Sequence, residues 1–300
     1  MTAPAPLGEV LAAGTTLVLD GGLSNQLADQ GCDLTDALWS ARLLADAPEQ
    51  VEAAHTAYVR AGAQVLITAS YQATYEGFAH RGIERAETGR LLRSSVALAR
   101  RAAAGGTDVR VAASVGPYGA MLADGSEYRG RYGRSVRELA DFHRPRIETL
   151  AEAAPDVLAL ETVPDVDEAE AMLRVAEGTG VPVWLSYTIA GDRTRAGQPL
   201  AQAFALAAGR PEVVAVGVNC CPPGDVDAAV DLAVAATGKP VVVYPNSGEG
   251  WDAAARSWTG GSAFDPARAA AWRAAGARLI GGCCRVGPPT VAAVAAALRD

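Results

Sequence analysis

The sequence predicts an α/β protein folded as a (β/α)8 TIM barrel, on three observations: eight short apolar runs recur along 300 residues, helical stretches alternate with them, and each run ends in small or polar residues. In order, the runs are Thr16 to Gly22, Val65 to Ser70, Val109 to Gly116, Val157 to Thr162, Pro182 to Thr188, Val213 to Cys220, Pro240 to Asn246 and Ala277 to Cys284. They are nearly continuous in Val, Leu, Ile and Ala rather than alternating, which suits parallel strands covered on both faces. Pro48 to Ala61, Arg85 to Ala104, Val136 to Ala153 and Val166 to Gly178 supply amphipathic connections. A doubly wound open sheet is the competing topology. Half of the residues are hydrophobic, enough for one large core, so residues 1–300 read as a single domain.

Charge and composition narrow the function. Lys plus Arg number 26 against 34 Asp plus Glu, a net charge of -8, and no basic stripe is present, so no nucleic-acid partner is expected. Met1 to Leu7 has no basic region leading into an apolar stretch, and no segment approaches 18 uninterrupted apolar residues. The expectation is a cytoplasmic protein with no membrane partner, present as a monomer or small homo-oligomer. No Gly-x-Gly-x-x-Gly follows the first run and no Walker-type loop occurs, so the usual signals of a nucleotide cofactor are missing.

Barrel active sites lie at the carboxyl ends of the strands, so the tips of the runs can be considered together. They are Asp20-Gly21-Gly22, Ser70-Tyr71, Gly116-Pro117, Glu161-Thr162, Tyr187-Thr188, Asn219-Cys220-Cys221, Tyr244-Pro245-Asn246 and Gly281-Gly282-Cys283-Cys284. Four of the five cysteines fall on this rim. Three thiolates with one exchangeable position make a catalytic zinc site, and zinc suits soft sulfur ligands. Adjacent residues of a regular strand face opposite ways, so Cys283 and Cys284 can share a metal only past the strand's end, with Gly281-Gly282 supplying conformational freedom. Cys32 reads as a small buried hydrophobe instead.

Glu161 closes the apolar run from Val157, where a buried carboxylate needs a cationic partner, and no Lys or Arg sits at a neighbouring tip. A ligand's ammonium group would serve, as would an Arg from a loop. His55, His80 and His143 lie away from the tips and read as surface or packing residues. Gly116 to Gly133, with Tyr118, Tyr128, Arg129 and Tyr132, is the longest irregular stretch and is placed to cover the site.

Seven motifs carry a resemblance: Leu19-Asp-Gly-Gly22, Leu38-Trp-Ser-Ala41, Ala112-Ala-Ser-Val-Gly-Pro-Tyr118, Glu161-Thr162, Gly217-Val-Asn-Cys220, Val243-Tyr-Pro-Asn-Ser-Gly-Glu249 and Gly281-Gly-Cys-Cys284. In that order the chain, from about Leu11 to Leu298, resembles the homocysteine S-methyltransferases that use S-methylmethionine or S-adenosylmethionine. The resemblance implies Zn2+ on Cys220, Cys283 and Cys284, with Cys221 outside the ligand set, a distinction that spacing alone does not make. It implies that Asp20, Gly21 and Glu161 hold the amino-acid end of homocysteine. Ser70 and Asn219 join them as substrate-binding candidates. Lacking the carboxyl-terminal extension and aromatic pattern of the betaine enzymes, the chain is expected to use a sulfonium donor.

Aromatic faces bind a sulfonium without holding it as tightly as a carboxylate, at about 0.5–2 kcal/mol each, which makes Trp39, Tyr71 and Tyr244 the donor-site candidates. Two other functions use the same thiols. One is a homocysteine-activating module for a separate cobalamin protein. The other is a non-enzymatic zinc store or redox sensor whose signal would be a reversible Cys283–Cys284 disulfide.

Overall fold

The computed structural model describes residues 5–35, 38–252 and 257–299, the side chains of Trp39 and residues 250–258 lying outside that description. The eight runs form β1 (Leu17–Val18), β2 (Val65–Ile67), β3 (Arg110–Val115), β4 (Val157–Val163), β5 (Val183–Tyr187), β6 (Val213–Asn219), β7 (Val241–Tyr244) and β8 (Ala277–Ile280). All pair in parallel in the order β1-β8-β7-β6-β5-β4-β3-β2. A parallel bridge between Leu19 and Val65 joins the two ends of that order, so the sheet is a barrel and not the open alternative.

Local chemistry sets the connections. Ser135 and Glu138 form a capping box that starts the helix Val136–Glu152, and the Asp165 carboxylate caps Val166–Ala176 by accepting the Asp167 N–H. Pro48 occupies the first turn of Pro48–Arg60, and Gly238, in the left-handed region, ends Val226–Thr237. The expected helices end within a few residues of the observed ones.

Inside the barrel the two-residue period of a strand decides which side chains meet. Leu17, Leu19, Val65, Ala112, Val157, Ala159, Trp184, Ala215, Val242 and Leu279 form one buried apolar cluster, which Leu7 and Leu11 of the amino-terminal helix Leu7–Ala12 join. Two residues further along the strands, or four on β6 past Gly217, the inward positions turn polar: Ser114, Glu161, Ser186, Asn219 and Tyr244, all buried. Burying each large aliphatic side chain contributes roughly 1.5–3 kcal/mol, whereas each buried polar group left unbonded costs about 1–3. The lower layers therefore stabilise the barrel, and the upper layer must be hydrogen-bonded.

Candidate active site

At the end of β6, Cys220 takes a left-handed backbone conformation (φ 48°). Its N–H donates to the Tyr244 carbonyl (3.2 Å) and its carbonyl accepts from the Thr188 hydroxyl (3.2 Å). β8 ends at Ile280, so Cys283 and Cys284 lie beyond regular strand geometry. The Cys283 N–H donates to the Pro245 carbonyl (2.8 Å) and the Cys284 N–H to Asn246 Oδ1 (3.2 Å), which ties the tip of β8 to that of β7. Gly281 and Gly282 act differently from the expectation of added freedom, for neither has a positive φ. A Cβ at Gly281 would stand 2.6 Å from Leu19 Cβ, and one at Gly282 would stand 2.2 Å from a Val286 methyl. Close approach of neighbouring chain excludes side chains there.

These turns bring the sulfurs of Cys220, Cys283 and Cys284 within 4.8 Å of one another, Cys283 and Cys284 being 4.0 Å apart. Cys220 and Cys283 are joined as a disulfide with Cα atoms 5.6 Å apart, and Cys284 is free. The expected redox pair, Cys283 with Cys284, is thus not the one formed. Adjacent Cα atoms are only about 3.8 Å apart, below the usual ~4.4–6.8 Å of a disulfide, whereas Cys220 reaches Cys283 across the rim. Reduction frees all three thiols. Zn–S bonds of about 2.3 Å in a tetrahedron put sulfurs about 3.8 Å apart, so this soft donor set fits zinc with little movement. Burial pushes the Cys284 thiol up to about 11, so a neighbouring cation is needed to hold it as thiolate at neutral pH. Cys221 is fully buried, outside this group, and Cys32 packs against the core.

Below the cysteines lies Glu161. Its Oε1 accepts from the Ser114 hydroxyl and its Oε2 from the Tyr244 hydroxyl (2.9 Å), which also accepts the Trp184 indole N–H (3.2 Å). Among the described residues no Lys, Arg or His forms an ion pair with it. Burial pushes its carboxyl up to about 7, against the pull of the Ser114 and Tyr244 hydrogen bonds. The next residue, Thr162, has φ 56°, a strain of about 1–3 kcal/mol for a non-glycine. Asn219 offsets it: its Oδ1 accepts the Thr162 N–H (2.8 Å) and the Ser186 hydroxyl (2.8 Å), and its Nδ2 donates to Thr162 Oγ1 (2.7 Å).

Asp20 sits at the tip of β1. Its Oδ2 accepts the Ile67 N–H (2.8 Å), while its Oδ1 is buried without a partner. Burial raises its carboxyl well above the carboxylate range, with Glu161 adding to the effect. Gly21 packs so closely that a Cβ would stand 2.1 Å from the Val286 carbonyl oxygen. The Ser70 hydroxyl donates to the Ser114 carbonyl (2.7 Å) and pairs with Thr68 (2.7 Å), so it braces Ser114, the residue that bonds Glu161.

The aromatic candidates separate. Tyr244 is buried beneath the rim with its hydroxyl on Glu161, so its position is with the carboxylate rather than on an outer donor-facing wall. Tyr71 is half-buried beside Gly116, where an added Cβ would lie 2.7 Å from the Tyr71 ring. The Trp39 side chain lies outside the described residues. Sequence reasoning placed the 116–133 loop over the site without assigning roles within it. Its short turn Ser126–Tyr128 packs against β4, the strand that carries Glu161, and buries the Glu127 carboxyl, whose charge helps to raise the pKa values of Tyr71, Tyr128 and Cys284.

His143, expected to be a surface or packing residue, is wholly buried in a relay that holds the root of this loop. Arg146 donates to the Gly116 carbonyl and to His143 Nδ1 (2.7 Å), and His143 Nε2 therefore donates to Glu168 (2.8 Å), which also accepts the Tyr118 N–H (2.6 Å). The signal available was the i, i+3 spacing of His143 and Arg146 on one helix face. His55 is buried, and desolvation lowers its pKa to about 4; His80 is exposed.

Comparison with known proteins gives one answer. The homocysteine S-methyltransferase family profile matches residues 17–298. Homocysteine S-methyltransferase of Escherichia coli is 45% identical over 306 residues, covering 97% of this chain and 98% of its own. Homocysteine S-methyltransferase YbgG of Bacillus subtilis is 41% identical over 309 residues, covering 98% of each. The metallated crystal form of the homocysteine methyltransferase MmuM from Escherichia coli has a TM-score of 0.87 at 43% identity, covering 98% of this chain and 100% of that one.

Proposed function

This chain belongs to the homocysteine S-methyltransferase family and is an enzyme of that activity; from that premise we propose that Cys220, Cys283 and Cys284 hold zinc and that the methyl donor is a sulfonium, S-methylmethionine or S-adenosylmethionine. The observation that carries this is the convergence of three sulfurs within 4.8 Å above a buried glutamate without a cationic partner. Zinc, when bound, supplies the positive charge that keeps a substrate thiol ionised near neutral pH.

Glu161 receives the ammonium of homocysteine, which lowers its pKa and gives the buried carboxylate the cation it lacks. Ser114 and Tyr244 aim its two oxygens, and Asn219 holds the turn at Thr162 that presents it. The chain near Asp20 and Gly21 meets the carboxylate end. With the amino acid held inward, its sulfur points to the rim. The thiolate's electron pair forms the new C–S bond in line with the breaking C–S⁺ bond, and the donor leaves as a neutral thioether. Tyr71 offers an aromatic face to the sulfonium, an attraction that weakens as the charge disappears.

The test is to incubate the reduced, zinc-loaded protein with homocysteine and, separately, S-methylmethionine, S-adenosylmethionine and betaine, and to quantify methionine by mass spectrometry. Chelator-sensitive methionine from a sulfonium donor is expected. None from either sulfonium, with zinc bound, would overturn the donor assignment and leave the methyl group to come from a carrier such as a cobalamin protein.

A further inference from the structure

We propose that Arg195 and Glu127 form the subsite for the amino-acid end of the methyl donor, Arg195 taking its carboxylate and Glu127 its ammonium. The inference rests on the sulfonium reading above and extends it to donor recognition. Homocysteine uses the inward direction, toward Glu161. In-line displacement puts the donor's sulfur on the far side of the methyl group from the thiolate, so the rest of the donor extends outward over the rim. Two ionisable side chains, Arg195 and Glu127, have no ion pair among the described residues.

Arg195 follows the hairpin of Ile189–Ala190 and Arg193–Thr194 and is exposed, its Cζ 5.8 Å from the centre of the Tyr128 ring. Among the described residues no carboxylate lies within ion-pair distance of it. Glu127, beside Tyr128 in the short turn Ser126–Tyr128, is only 9% exposed, and its buried Oε2 has no hydrogen-bond partner. A buried carboxylate oxygen left unbonded costs about 1–3 kcal/mol or more, so a ligand donor is the missing element. Tyr128, the neighbour of Glu127 in this turn, is the ring over which Arg195 lies, and the turn packs against β4, the strand that carries Glu161.

The two supporting segments are tied together. The Arg131 guanidinium donates twice to the Ala196 carbonyl (2.9 and 2.7 Å), and Asp165 accepts both the Arg131 N–H (3.0 Å) and the Gln198 amide (2.8 Å). Arg195 is thereby held against the loop that carries Glu127. A carboxylate is the natural ligand of an unpaired guanidinium, and an ammonium that of an orphan carboxylate. An α-amino acid carries both.

Three sulfonium probes test this in the zinc-loaded enzyme: S-methylmethionine, with carboxylate and ammonium; 3-dimethylsulfoniopropionate, with carboxylate alone; and dimethyl(propyl)sulfonium, with neither. Arg195→Met is expected to reduce the kcat/KM preference for the first two probes over the third by about 10- to 100-fold, the size of one lost charge-assisted hydrogen bond. Glu127→Gln is expected to reduce only the preference for S-methylmethionine over the other two. An unchanged preference in either variant would overturn the role of that residue. A rise in homocysteine KM with no change in donor preference would reassign Arg195 to the acceptor and overturn the inference. A wild-type enzyme inactive with all three probes but active with a methylated cobalamin would overturn the sulfonium reading, and the subsite with it.

Discussion

Tyr244→Phe separates two positions for one side chain. The sequence puts Tyr244 among the donor-facing aromatics, while the structure sets its hydroxyl 2.9 Å from Glu161 Oε2 and 3.2 Å from the Trp184 indole nitrogen. Removing that hydroxyl takes one charge-assisted hydrogen bond from ionised Glu161, about 1.5–3 kcal/mol, which at 1.36 kcal/mol per tenfold makes the anion roughly 10- to 150-fold harder to populate. With the Glu161 carboxyl at about 7, half of the molecules carry the anion at pH 7; in the variant roughly one in ten or fewer would. The homocysteine KM should therefore rise about 5- to 70-fold at pH 7 and fall back as the pH approaches 9, with little change in donor KM. The stranded Trp184 N–H should cost a further ~1–3 kcal/mol of stability, several degrees in Tm. Steady-state kinetics with each substrate varied in turn, together with a thermal melt, make the measurement. An unchanged homocysteine KM with a raised donor KM would refute the placement of Tyr244 with Glu161.

Two other outcomes follow from the site. Cys283→Ser should lose bound zinc and activity together while keeping the helical circular dichroism of the parent, since the cysteines lie beyond the strand ends and outside the apolar layers; metal analysis showing full zinc and activity would refute the ligand assignment. Norvaline, which has the amino-acid end without the thiol, should bind about tenfold more tightly at pH 8 than at pH 6 by calorimetry, because a carboxyl raised to about 7 is protonated below that value and anionic above it. The same raised value means that the folded chain holds a proton between about 4.5 and 7 that the unfolded chain releases, so Glu161 lowers stability as the pH rises through that window. A flat norvaline affinity would remove Glu161 from ammonium binding.

The barrel was legible in the sequence because its signals are local. Continuous apolar runs with tips ending in Gly, Ser, Thr, Asn or Cys repeat eight times with helical stretches between them, and the strand period by itself puts Val157, Ala159 and Glu161 on one face. The cysteines could be gathered at one end because every parallel strand of a barrel ends on the same rim. That no cation stands beside Glu161 at a neighbouring tip was also visible, but an Arg from a loop stayed open until the ion pairs of the described residues were in view.

What each polar atom bonds to depended on the tertiary structure. Tyr244 and Ser114 meet at Glu161 from different strands, and Ser70 and Asn219 serve as braces because their hydrogen-bonding capacity is taken up across strands more than 40 residues apart in sequence. Residue type and spacing report the side on which a residue lies and the chemistry it can offer. They do not report the distance to a partner on another strand. For that reason the pairing of Cys220 with Cys283, the burial of His143 against Glu168 and the approach of Arg195 to Tyr128 appear only when the ring is closed.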